Sequence, residues 1–313
     1  MTKPVILMSD AVLKVVATMM EGDYQVERLW EHDRAEFLAT RGPAIEAIVH
    51  AGEVVLPPEL LSAMPNLKLI ACVSVGYDGI DIPWCRARGI EVTHARWLNA
   101  DDVADHAIGL MIAAYRGIVE GDRYLRDGRW EAGEPRKTRG SLTGKGLGVI
   151  GLGNIGAGVA RRAEAMGLNI AWWGPRDKPA PWPRASDVLA LAQQSDVLVV
   201  ACRADETNRN LIDRSIMEAL GRRGLLVNVA RGQIVDEDAL IGALNEGVLG
   251  MAALDVFWSE PTPAARWADV PNVVLTPHLG GATAESVVKL VAQAADNLRR
   301  HFAGEPLASP VEL

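Results

Sequence analysis

The chain has 313 residues, 49% of them hydrophobic and 23% charged, and carries a formal net charge of -8. This length accommodates two domains of ordinary size, and the composition is typical of a globular protein and excludes a largely disordered one. The acidic balance argues against a nucleic-acid-binding surface, which would need a basic patch, but it does not exclude an anionic substrate because that depends on local charge.

The N-terminal segment and the cysteines bear on the cellular compartment. Only four apolar residues, 5–8, precede Ser9 and Asp10, and this run is too short for a signal-peptide core or a membrane span. Three cysteines lie in or beside apolar segments, with neither metal-ligand spacing nor the pattern of a disulfide framework: Cys72, Cys85 and Cys202. We therefore expect core thiols in a reducing compartment, a cytoplasmic location, and neither a metal site nor a membrane contact.

Strands and helices alternate along the first third of the chain, as in a parallel sheet covered by helices. The predicted strands are residues 5–8, 47–50, 69–73 and 90–93, and the predicted helices are 58–64 and 82–88. A long helix is predicted over residues 100–116. Its apolar side, suited to an interface between domains or subunits, comprises Val103, Ala107, Leu110, Met111 and Ala114.

A second series of strands occupies the rest of the chain. The six predicted strands are residues 148–150, 170–173, 197–201, 225–229, 251–254 and 273–276. Six strands with intervening helices is the number that a doubly wound dinucleotide-binding domain uses. A last helix is predicted over residues 285–302.

A glycine-rich segment joins the first of these six strands to a helical pattern. Its residues are Gly151, Leu152, Gly153, Asn154, Ile155 and Gly156. In a dinucleotide site the first glycine makes a tight turn, the second lets the backbone approach a pyrophosphate, and the third lets helix and strand pack closely. The pyrophosphate would lie at the positive end of the helix that begins near Asn154. The motif alone also fits an ordinary turn, but its place between strand and helix favours the nucleotide site.

Three polar residues, Arg231, Glu260 and His278, come shortly after predicted strands, at the edge where doubly wound domains bind ligands. An arginine can hold a substrate carboxylate or carbonyl oxygen, and a histidine can protonate a nascent alkoxide near neutral pH. A neighbouring carboxylate would orient the imidazole and favour its charged form. Each residue alone could be a helix cap, a loop residue or a core histidine, but the three together favour reduction of a 2-oxo acid. The other histidines lack such partners in the sequence and are expected to be structural: His32, His50, His94, His106 and His301.

Several motifs together resemble the D-isomer-specific 2-hydroxyacid dehydrogenase family over nearly the whole chain. They are the glycine-rich segment, residues 228–232 (Asn-Val-Ala-Arg-Gly), residues 254–257 (Leu-Asp-Val-Phe) with Glu260 and Pro261, and residues 276–281 (Thr-Pro-His-Leu-Gly-Gly). In the first third of the chain, residues 74–81 (Ser-Val-Gly-Tyr-Asp-Gly-Ile-Asp) resemble the family's substrate-carboxylate loop.

The resemblance implies roles for individual residues. It implies Arg231 as the substrate anchor, Glu260 as the partner of the histidine and His278 as the acid/base. It implies that the backbone amides of Val75 and Gly76 bind the substrate carboxylate. It implies that, beyond the glycine-rich segment, the cofactor is contacted by Cys202, Ala230, Asp255, His278 and Gly280. Of these, Asp255 would contact the nicotinamide end.

The resemblance also implies the fold and the assembly. A doubly wound Rossmann-type coenzyme domain, residues 99–283, would be inserted in a flavodoxin-like substrate domain formed by residues 1–98 and 284–313. Hinges are expected near residues 98–100 and 281–283. A homodimer is expected through the region around the long helix.

The end of the second strand of the coenzyme domain bears on the choice between NAD and NADP. Domains that prefer NAD usually carry Asp or Glu there, about 20 residues beyond the glycines, to bind the ribose 2'-hydroxyl. Gly174 occupies this place, and Arg176 and Lys178 follow. A cation in place of a carboxylate suits the 2'-phosphate of NADP, whereas Asp177 in a shifted loop could bind the ribose of NAD. The sequence therefore favours NADP and leaves NAD open.

The identity of the substrate stays open at this point. Three segments are most similar to the NADPH-linked glyoxylate, hydroxypyruvate and hydroxyphenylpyruvate reductases: residues 99–105, 219–221 and 306–311. Arg96 and Trp97 depart from that pattern, and if Trp97 or Trp267 lines the pocket, an aromatic 2-oxo acid would fit. A solvated arginine and core tryptophans are the alternative. Two other functions also stay open, namely a sensor of nicotinamide nucleotides without turnover and a dehydrogenase of another small anion such as phosphite.

Overall fold

A computed structural model describes residues 3–312 of the chain. The chain divides into two compact units, Met1–Asn99 with Ala284–Leu313, and Ala100–Thr283. We call these unit 1 and unit 2. Unit 1 is built from both ends of the chain, so unit 2 is a continuous insertion in it.

Unit 1 contains a five-stranded parallel sheet. Its strands are β1 (Val5–Met8), β2 (Gln25–Arg28), β3 (Ala47–His50), β4 (Leu69–Cys72) and β5 (Glu91–Thr93). The order β2-β1-β3-β4-β5 is that of flavodoxin-like folds. The helices are α1 (Lys14–Met20), α2 (Arg34–Thr40), α3 (Pro58–Ser62), α4 (Ile82–Ala87) and the C-terminal helix, Ala284–Ala303. Short 3-10 helices cover Ala11–Leu13, Leu29–Glu31 and Gly42–Ala44.

The C-terminal helix belongs to the core of unit 1. Its buried residues Val291, Ala294 and Leu298 pack with the strand residues Ile6 and Val49. The last helix predicted from the sequence therefore completes one layer over the sheet formed by the first third of the chain. This packing explains why the two ends of the chain form one unit.

Strand β2 is the one element of this sheet that the sequence analysis did not predict. It lies at the edge of the sheet, pairs only with β1, and reads Gln-Val-Glu-Arg. An edge strand with three polar residues has neither the apolar run nor the alternation by which strands are recognised. Strands β1, β3 and β4 are largely buried apolar runs, as is usual in parallel sheets, whereas β5 is the second edge strand and its Glu91 is exposed.

Unit 2 contains a six-stranded parallel sheet. Its strands are β6 (Gly146–Ile150), β7 (Asn169–Trp173), β8 (Val197–Val200), β9 (Leu225–Asn228), β10 (Met251–Leu254) and β11 (Val273–Leu275). The order is β11-β10-β9-β8-β6-β7, and all pairs are parallel. The chain winds in both directions from β6, so the topological switch point lies between β6 and β8. Ligands of doubly wound sheets bind at this point, beyond the carboxyl ends of the strands.

Helices cover both faces of the sheet in unit 2. They are α5 (Ala100–Arg116), α6 (Ile118–Arg126), α7 (Asn154–Ala165), α8 (Val188–Gln193), α9 (Arg214–Leu220), α10 (Glu237–Asn245) and α11 (Ala264–Trp267), with 3-10 helices at Glu206–Asn208 and Gly232–Ile234. One core cluster joins α5 and α7 to one face, and a second joins α8, α9 and α10 to the other. The apolar side predicted for the long helix α5 is buried in the first cluster, against the sheet of unit 2 itself, so the expectation that this side forms an interface between domains or subunits was wrong.

Within residues 3–312, no helix combines the length and the apolar composition needed to cross a membrane. Over the same residues, no group of three or more His, Cys, Asp or Glu side chains is placed to hold a metal ion.

Candidate active site

The glycine-rich segment turns from β6 into α7 at the switch point of the sheet. Gly151 has a φ of +89°, and a Cβ on it would lie 2.5 Å from the Cα of Cys202, just beyond β8. A Cβ on Gly156 would lie 2.0 Å from the carbonyl oxygen of Gly151. The turn and the contact between helix and strand thus leave no room for side chains at these two glycines. Burial raises the pKa of the Cys202 thiol to about 11, so this neighbour is a neutral thiol at physiological pH.

The start of α7 is suited to an anion. Gly153 is the N-cap of the helix, and among the described residues no side chain caps the first turn and no acidic residue lies in it. A Cβ on Gly153 would meet nothing within 4 Å. The N–H groups that follow Gly153, at Asn154, Ile155 and Gly156, therefore form the positive end of a helix beside open space. This geometry fits the pyrophosphate of a dinucleotide.

Cations surround the turn after β7, where the adenosine ribose of a dinucleotide binds in this type of fold. Gly174 follows the strand directly, and its carbonyl oxygen accepts a hydrogen bond from Arg184 at 2.8 Å. Lys178 donates a hydrogen bond to a carbonyl oxygen of the glycine-rich segment. Arg176 and Asp177 are exposed in the same turn. Three cations thus accompany one carboxylate, and this excess of positive charge suits a phosphate more than a ribose hydroxyl.

His278 and Glu260 form a hydrogen-bonded pair beyond β11 and β10. His278 Nδ1 lies 2.6 Å from Glu260 Oε2, and Glu260 Oε1 accepts the backbone N–H of Phe257 at 2.9 Å. Burial raises the pKa of Glu260, but the hydrogen bonds from His278 and Phe257 and the positive charges of His278 and Arg231 lower it more. The pKa of Glu260 therefore lies below its usual value, and the carboxylate that faces the imidazole is charged at neutral pH.

Asp255 fixes the backbone around His278. The residue is 2% exposed, and its carboxylate accepts the N–H groups of Leu279 and Gly280, both at 2.8 Å. Its carbonyl oxygen accepts the N–H of His278 at 2.8 Å. His278 itself has a φ of +53°, a left-handed conformation that costs a non-glycine residue about 1–3 kcal/mol. The hydrogen bonds of Asp255 offset this cost and hold in one place the backbone that carries the imidazole.

His106 of α5 is a site residue that the sequence analysis assigned a structural role without a carboxylate partner. Its Nε2 lies 3.2 Å from Asp255 Oδ1 and 3.0 Å from Thr276 Oγ1, and Thr276 donates to the same Asp255 oxygen at 2.6 Å. Burial raises the pKa of Asp255, but the hydrogen bonds from His106, Thr276 and the two amides bring it to about 2. The expectation that His106 lacks such a partner was wrong, because spacing along the chain gives no sign that α5 packs against the end of β10.

Arg231 lies just beyond β9 in a segment that Asn228 shapes. The side chain of Asn228 donates to the carbonyl oxygen of Arg231 at 3.0 Å and accepts the N–H of Ala230 at 3.1 Å. Arg231 Nη1 donates to the carbonyl oxygen of Ala230 at 2.7 Å. A Cβ on Gly232 would lie 1.9 Å from the carbonyl carbon of Phe257, so the Arg231 segment touches the loop of Glu260 backbone to backbone.

The predicted carboxylate loop, with Val75 and Gly76, belongs to unit 1 and follows β4. Ser74 Oγ donates to the carbonyl oxygen of Gly76 at 2.6 Å, and His94 Nδ1 lies 3.0 Å from the carbonyl oxygen of Val75. A Cβ on Gly52 would lie 2.1 Å from the carbonyl oxygen of Gly76. These contacts fix the shape of the loop within unit 1, and binding of a substrate by its amides stays a prediction.

The two tryptophans considered for a substrate pocket differ in burial. Trp267 is 6% exposed, its ring packs 5.7 Å from that of Phe257, and its Nε1 donates to Thr262 Oγ1 at 3.0 Å. Trp97 is 59% exposed, with the guanidinium of Arg96 5.3 Å from its ring centre. Trp267 is therefore a core residue of unit 2, and the hypothesis of an aromatic pocket depends on Trp97.

Unit 2 thus brings most of the predicted site residues to the carboxyl edge of one parallel sheet. A helix start suited to a pyrophosphate lies at the switch point, and cations lie at the turn after the adjacent strand β7. A hydrogen-bonded imidazole–carboxylate pair and an arginine follow β11, β10 and β9. The residues at this edge are the glycine-rich segment 151–156, Gly174, Arg176, Cys202, Ala230, Arg231, Asp255, Glu260, His278 and Gly280.

Comparisons with known proteins identify the family to which the chain is similar. The family model described as D-isomer specific 2-hydroxyacid dehydrogenase, NAD binding domain, matches residues 108–280. A glyoxylate/hydroxypyruvate reductase A of Arabidopsis thaliana is 40% identical over 308 residues, which cover 98% of each chain. A hydroxyphenylpyruvate reductase of Plectranthus scutellarioides is 40% identical over 290 residues, which cover 92% of each chain.

Solved structures extend the similarity to the whole fold. A 2-hydroxyacid dehydrogenase from Ketogulonicigenium vulgare Y25 superposes with a TM-score of 0.94 at 40% identity, covering 100% of this chain and 99% of the other. An NADPH-dependent glyoxylate/hydroxypyruvate reductase from Sinorhizobium meliloti, in complex with NADP and malonate, gives a TM-score of 0.92 at 32% identity, covering 99% of this chain and 97% of the other.

Proposed function

The chain belongs to the D-isomer-specific 2-hydroxyacid dehydrogenase family, and we propose that it reduces a small 2-oxo acid to the D-2-hydroxy acid with NAD(P)H. The observation that carries this proposal is the 2.6 Å hydrogen bond between His278 and Glu260, at the sheet edge that also bears Arg231 and the glycine-rich segment. The substrate class that the relatives' names support is that of glyoxylate, hydroxypyruvate and larger 2-oxo acids, aromatic ones included.

His278 is the acid of the proposed reduction. When bound, the dinucleotide supplies a hydride to the carbonyl carbon of the substrate. Because His278 Nδ1 is held by Glu260, proton donation to the carbonyl oxygen falls to Nε2. The charge of Glu260 stabilises the imidazolium before the proton leaves, and this is the state that a reductase needs.

Arg231 is the proposed anchor of the substrate. Its guanidinium is a planar fork that can bind a carboxylate or a polarised carbonyl oxygen through two parallel hydrogen bonds. Its backbone is fixed by Asn228 and by the close approach of Gly232 to Phe257. The amides of Val75 and Gly76 are proposed as further ligands of the substrate carboxylate, on the basis of the family resemblance.

The dinucleotide would be held by the glycine-rich segment and α7, with the 2'-phosphate of NADP at the cation-rich turn after β7. The pyrophosphate would accept hydrogen bonds from the N–H groups of residues 154–156, and Arg176 would pair with the 2'-phosphate. The absence of an acidic residue at Gly174 supports NADP over NAD. Cys202, Ala230, Asp255 and Gly280 are proposed to complete the cofactor contacts.

The test is a set of initial rates of NADPH and NADH oxidation with glyoxylate, hydroxypyruvate, pyruvate, phenylpyruvate and 4-hydroxyphenylpyruvate. We expect turnover of at least one acid with NADPH preferred, and chiral chromatography should identify the D-hydroxy acid. His278→Ala should lower kcat by several orders of magnitude while NADPH binding is largely kept. Turnover of none of the acids while NADPH still binds would point to a sensor or to another small anion as substrate.

We further propose a homodimer formed through α5, α6 and the residues that follow. Large apolar side chains are exposed along this segment, with exposed fractions of 54% for Ile118, 53% for Leu125 and 58% for Trp130. Leu125 and Trp130 line the same surface pocket, and contiguous exposed apolar surface is a feature of interaction sites. Sedimentation velocity of the wild type and of Trp130→Glu should show a dimer and a shift towards monomer, and a monomeric wild type would refute the proposal.

The cysteines support a proposed location in the reducing cytoplasm. All three are free thiols, two of them buried. Burial raises the pKa of Cys85 and Cys202 to about 11, so neither is a reactive thiolate at neutral pH. Fractionation of cells that express the protein should recover it with a cytosolic marker, and recovery with a secreted marker would contradict this.

A further inference from the structure

A buried carboxylate that the proposed reaction does not use, Glu237, lies behind the loop that carries Glu260. Glu237 is the first residue of α10 and is 8% exposed. Its Oε2 accepts the backbone N–H of Trp258 at 3.0 Å, and its Oε1 accepts a hydrogen bond from Arg266 Nε. Arg266 also donates to Asp238 Oδ1 at 2.6 Å. A buried carboxylate, paired with a partly exposed arginine, thus accepts the N–H of a residue two positions before Glu260.

The peptide groups held in this way determine where Glu260 points. Oε1 of Glu260 accepts the N–H of Phe257 at 2.9 Å, so the carboxylate folds back onto the start of its own loop. The other face of that backbone rests on Gly232, where a Cβ would lie 2.4 Å from the nitrogen of Trp258. Glu237 is the side chain that ties this loop to the chain segment that follows Gly232.

The energetics favour a role in orientation over one in stability. Burying the Glu237 charge costs free energy, and its partner Arg266 is 34% exposed, so solvent screens their attraction and the pair contributes little net stability. A charge-assisted hydrogen bond to a peptide N–H, however, fixes the donor's position more strictly than apolar contact does. An imidazole–carboxylate pair in an active site needs precise positioning, since a misplacement of about 1 Å can lower the rate about 100-fold.

We propose that Glu237 is a positioning residue, which holds the loop of Glu260 and through it sets the orientation and charge state of His278. The inference rests on the proposed function for its kinetic consequence, but its structural consequence can be measured without turnover. Arg266 keeps the Glu237 carboxylate aligned, and Asp238 keeps Arg266 in place.

The chain offers a matched control in Asp196. This carboxylate also pairs with a cation, Lys145 at 2.9 Å, and accepts one backbone N–H, that of Gly146 at 3.0 Å. It lies at the amino-terminal edge of the same sheet, just before β8 begins. A merely structural carboxylate at position 237 would behave as Asp196 does.

The experiment compares Glu237→Ala and Glu237→Gln with Asp196→Ala and Asp196→Asn in the full-length protein. The readouts are Tm, kcat/KM against pH, the Kd of NADPH, and NMR titration of the His278 ring in histidine-labelled protein. The chain has only six histidines, and the His278→Ala spectrum identifies the signal. Glu237→Gln keeps one acceptor oxygen for two donors, so a smaller loss than for Glu237→Ala is expected.

We expect Glu237→Ala to lower kcat/KM about 10- to 100-fold with the Kd of NADPH unchanged. The midpoint of the His278 titration should fall by about half a pH unit or more, because an unheld Glu260 supports the imidazolium less. The Asp196 variants should change Tm alone. If Glu237→Ala does not fold, the direction of the same changes in Glu237→Gln decides the question.

A fall in Tm with wild-type kcat/KM and a wild-type His278 midpoint in both Glu237 variants would overturn the inference. If the wild type reduces no 2-oxo acid, the proposed function fails by that result alone. The His278 titration then still decides the inference, since a displaced midpoint supports it and an unchanged one refutes it.

Discussion

Replacing Glu260 with Gln removes the charge that faces His278 and leaves the shape of the side chain almost unchanged. The structure places Glu260 Oε2 2.6 Å from His278 Nδ1, and an amide oxygen can still accept that hydrogen bond. The variant therefore separates the electrostatic contribution of Glu260 from its role in orienting the ring. Its effect should appear in the pH dependence of the reaction more than in its maximal rate.

The size of the effect follows from the contact. A hydrogen bond to a charged group contributes about 1.5–3 kcal/mol. The His278 and Glu260 side chains are 32% and 36% exposed, so solvent screening places this pair at the lower end. Since about 1.4 kcal/mol corresponds to one pH unit, the charged imidazole should lose about one pH unit of its range in Glu260→Gln.

The substitution should have opposite effects on the two directions of the reaction. Reduction needs the imidazolium, so the pH above which kcat/KM for the 2-oxo acid declines should move down by about one unit, with a loss of about tenfold on the alkaline side. Oxidation of the hydroxy acid needs the neutral imidazole, so its activity should extend to lower pH by the same amount. The coupling also explains why the pKa of Glu260 is lowered.

The assay is kcat/KM from about pH 5 to about pH 10 in both directions, for the wild type and Glu260→Gln. Glu246→Gln is the control, because it removes a carboxylate of the same unit that pairs with Arg214 on the surface at 2.6 Å. If both profiles of Glu260→Gln keep the wild-type midpoints and only the amplitude changes, Glu260 acts by orientation alone and the electrostatic reasoning is wrong.

Three further substitutions test other parts of the site. Gly156→Ala should weaken NADPH binding and lower the free energy of unfolding by about 1–3 kcal/mol, because the added methyl would lie 2.0 Å from the carbonyl oxygen of Gly151; fluorescence titration and urea unfolding measure both, and wild-type values would contradict the close contact. Arg176→Ala should raise KM for NADPH about tenfold or more with little change for NADH, because a charge-assisted hydrogen bond is lost only with the former; an equal loss for both cofactors would count against the 2'-phosphate role. For Asp255 the folded-state pKa of about 2 lies below the usual 3.8, so its charged form contributes about 2 kcal/mol of stability above about pH 4, which is lost as the pH falls towards about 2. Urea unfolding at several pH values should therefore show a shallower acid dependence for Asp255→Asn, and parallel curves would refute this.

The central parallel strands were predictable from the sequence because they are buried on both faces and appear as apolar runs. All four residues of β8, for example, are fully buried. The edge strand β2 was not predictable, since Val26 is its one apolar residue and Glu27 is buried through contacts with Arg41 and Gln25. Burial of a polar residue at a sheet edge depends on which neighbours the fold supplies, and a local pattern does not contain that information.

The residues of the candidate site also include some that were predictable from the sequence and some that were not. Arg231, Glu260 and His278 were predictable because a position just beyond a parallel strand fixes the edge of the sheet at which a side chain lies. His106 and Glu237 lie on helices, where the partner depends on how the helix packs. Neither residue stands at a distinctive spacing from the residues that it contacts.

Two buried carboxylates explain how a histidine–glutamate pair on loops keeps its geometry. Loops are the variable and mobile parts of such folds, so a pair carried on them needs anchoring by the rigid elements. Asp255 accepts the amides of Leu279 and Gly280, and Glu237 accepts that of Trp258. Because every residue except proline has a backbone amide, the sequence does not mark which peptide groups will be held. The chemistry of the site therefore follows from residue types at strand ends, whereas its alignment follows from contacts that only the folded chain creates.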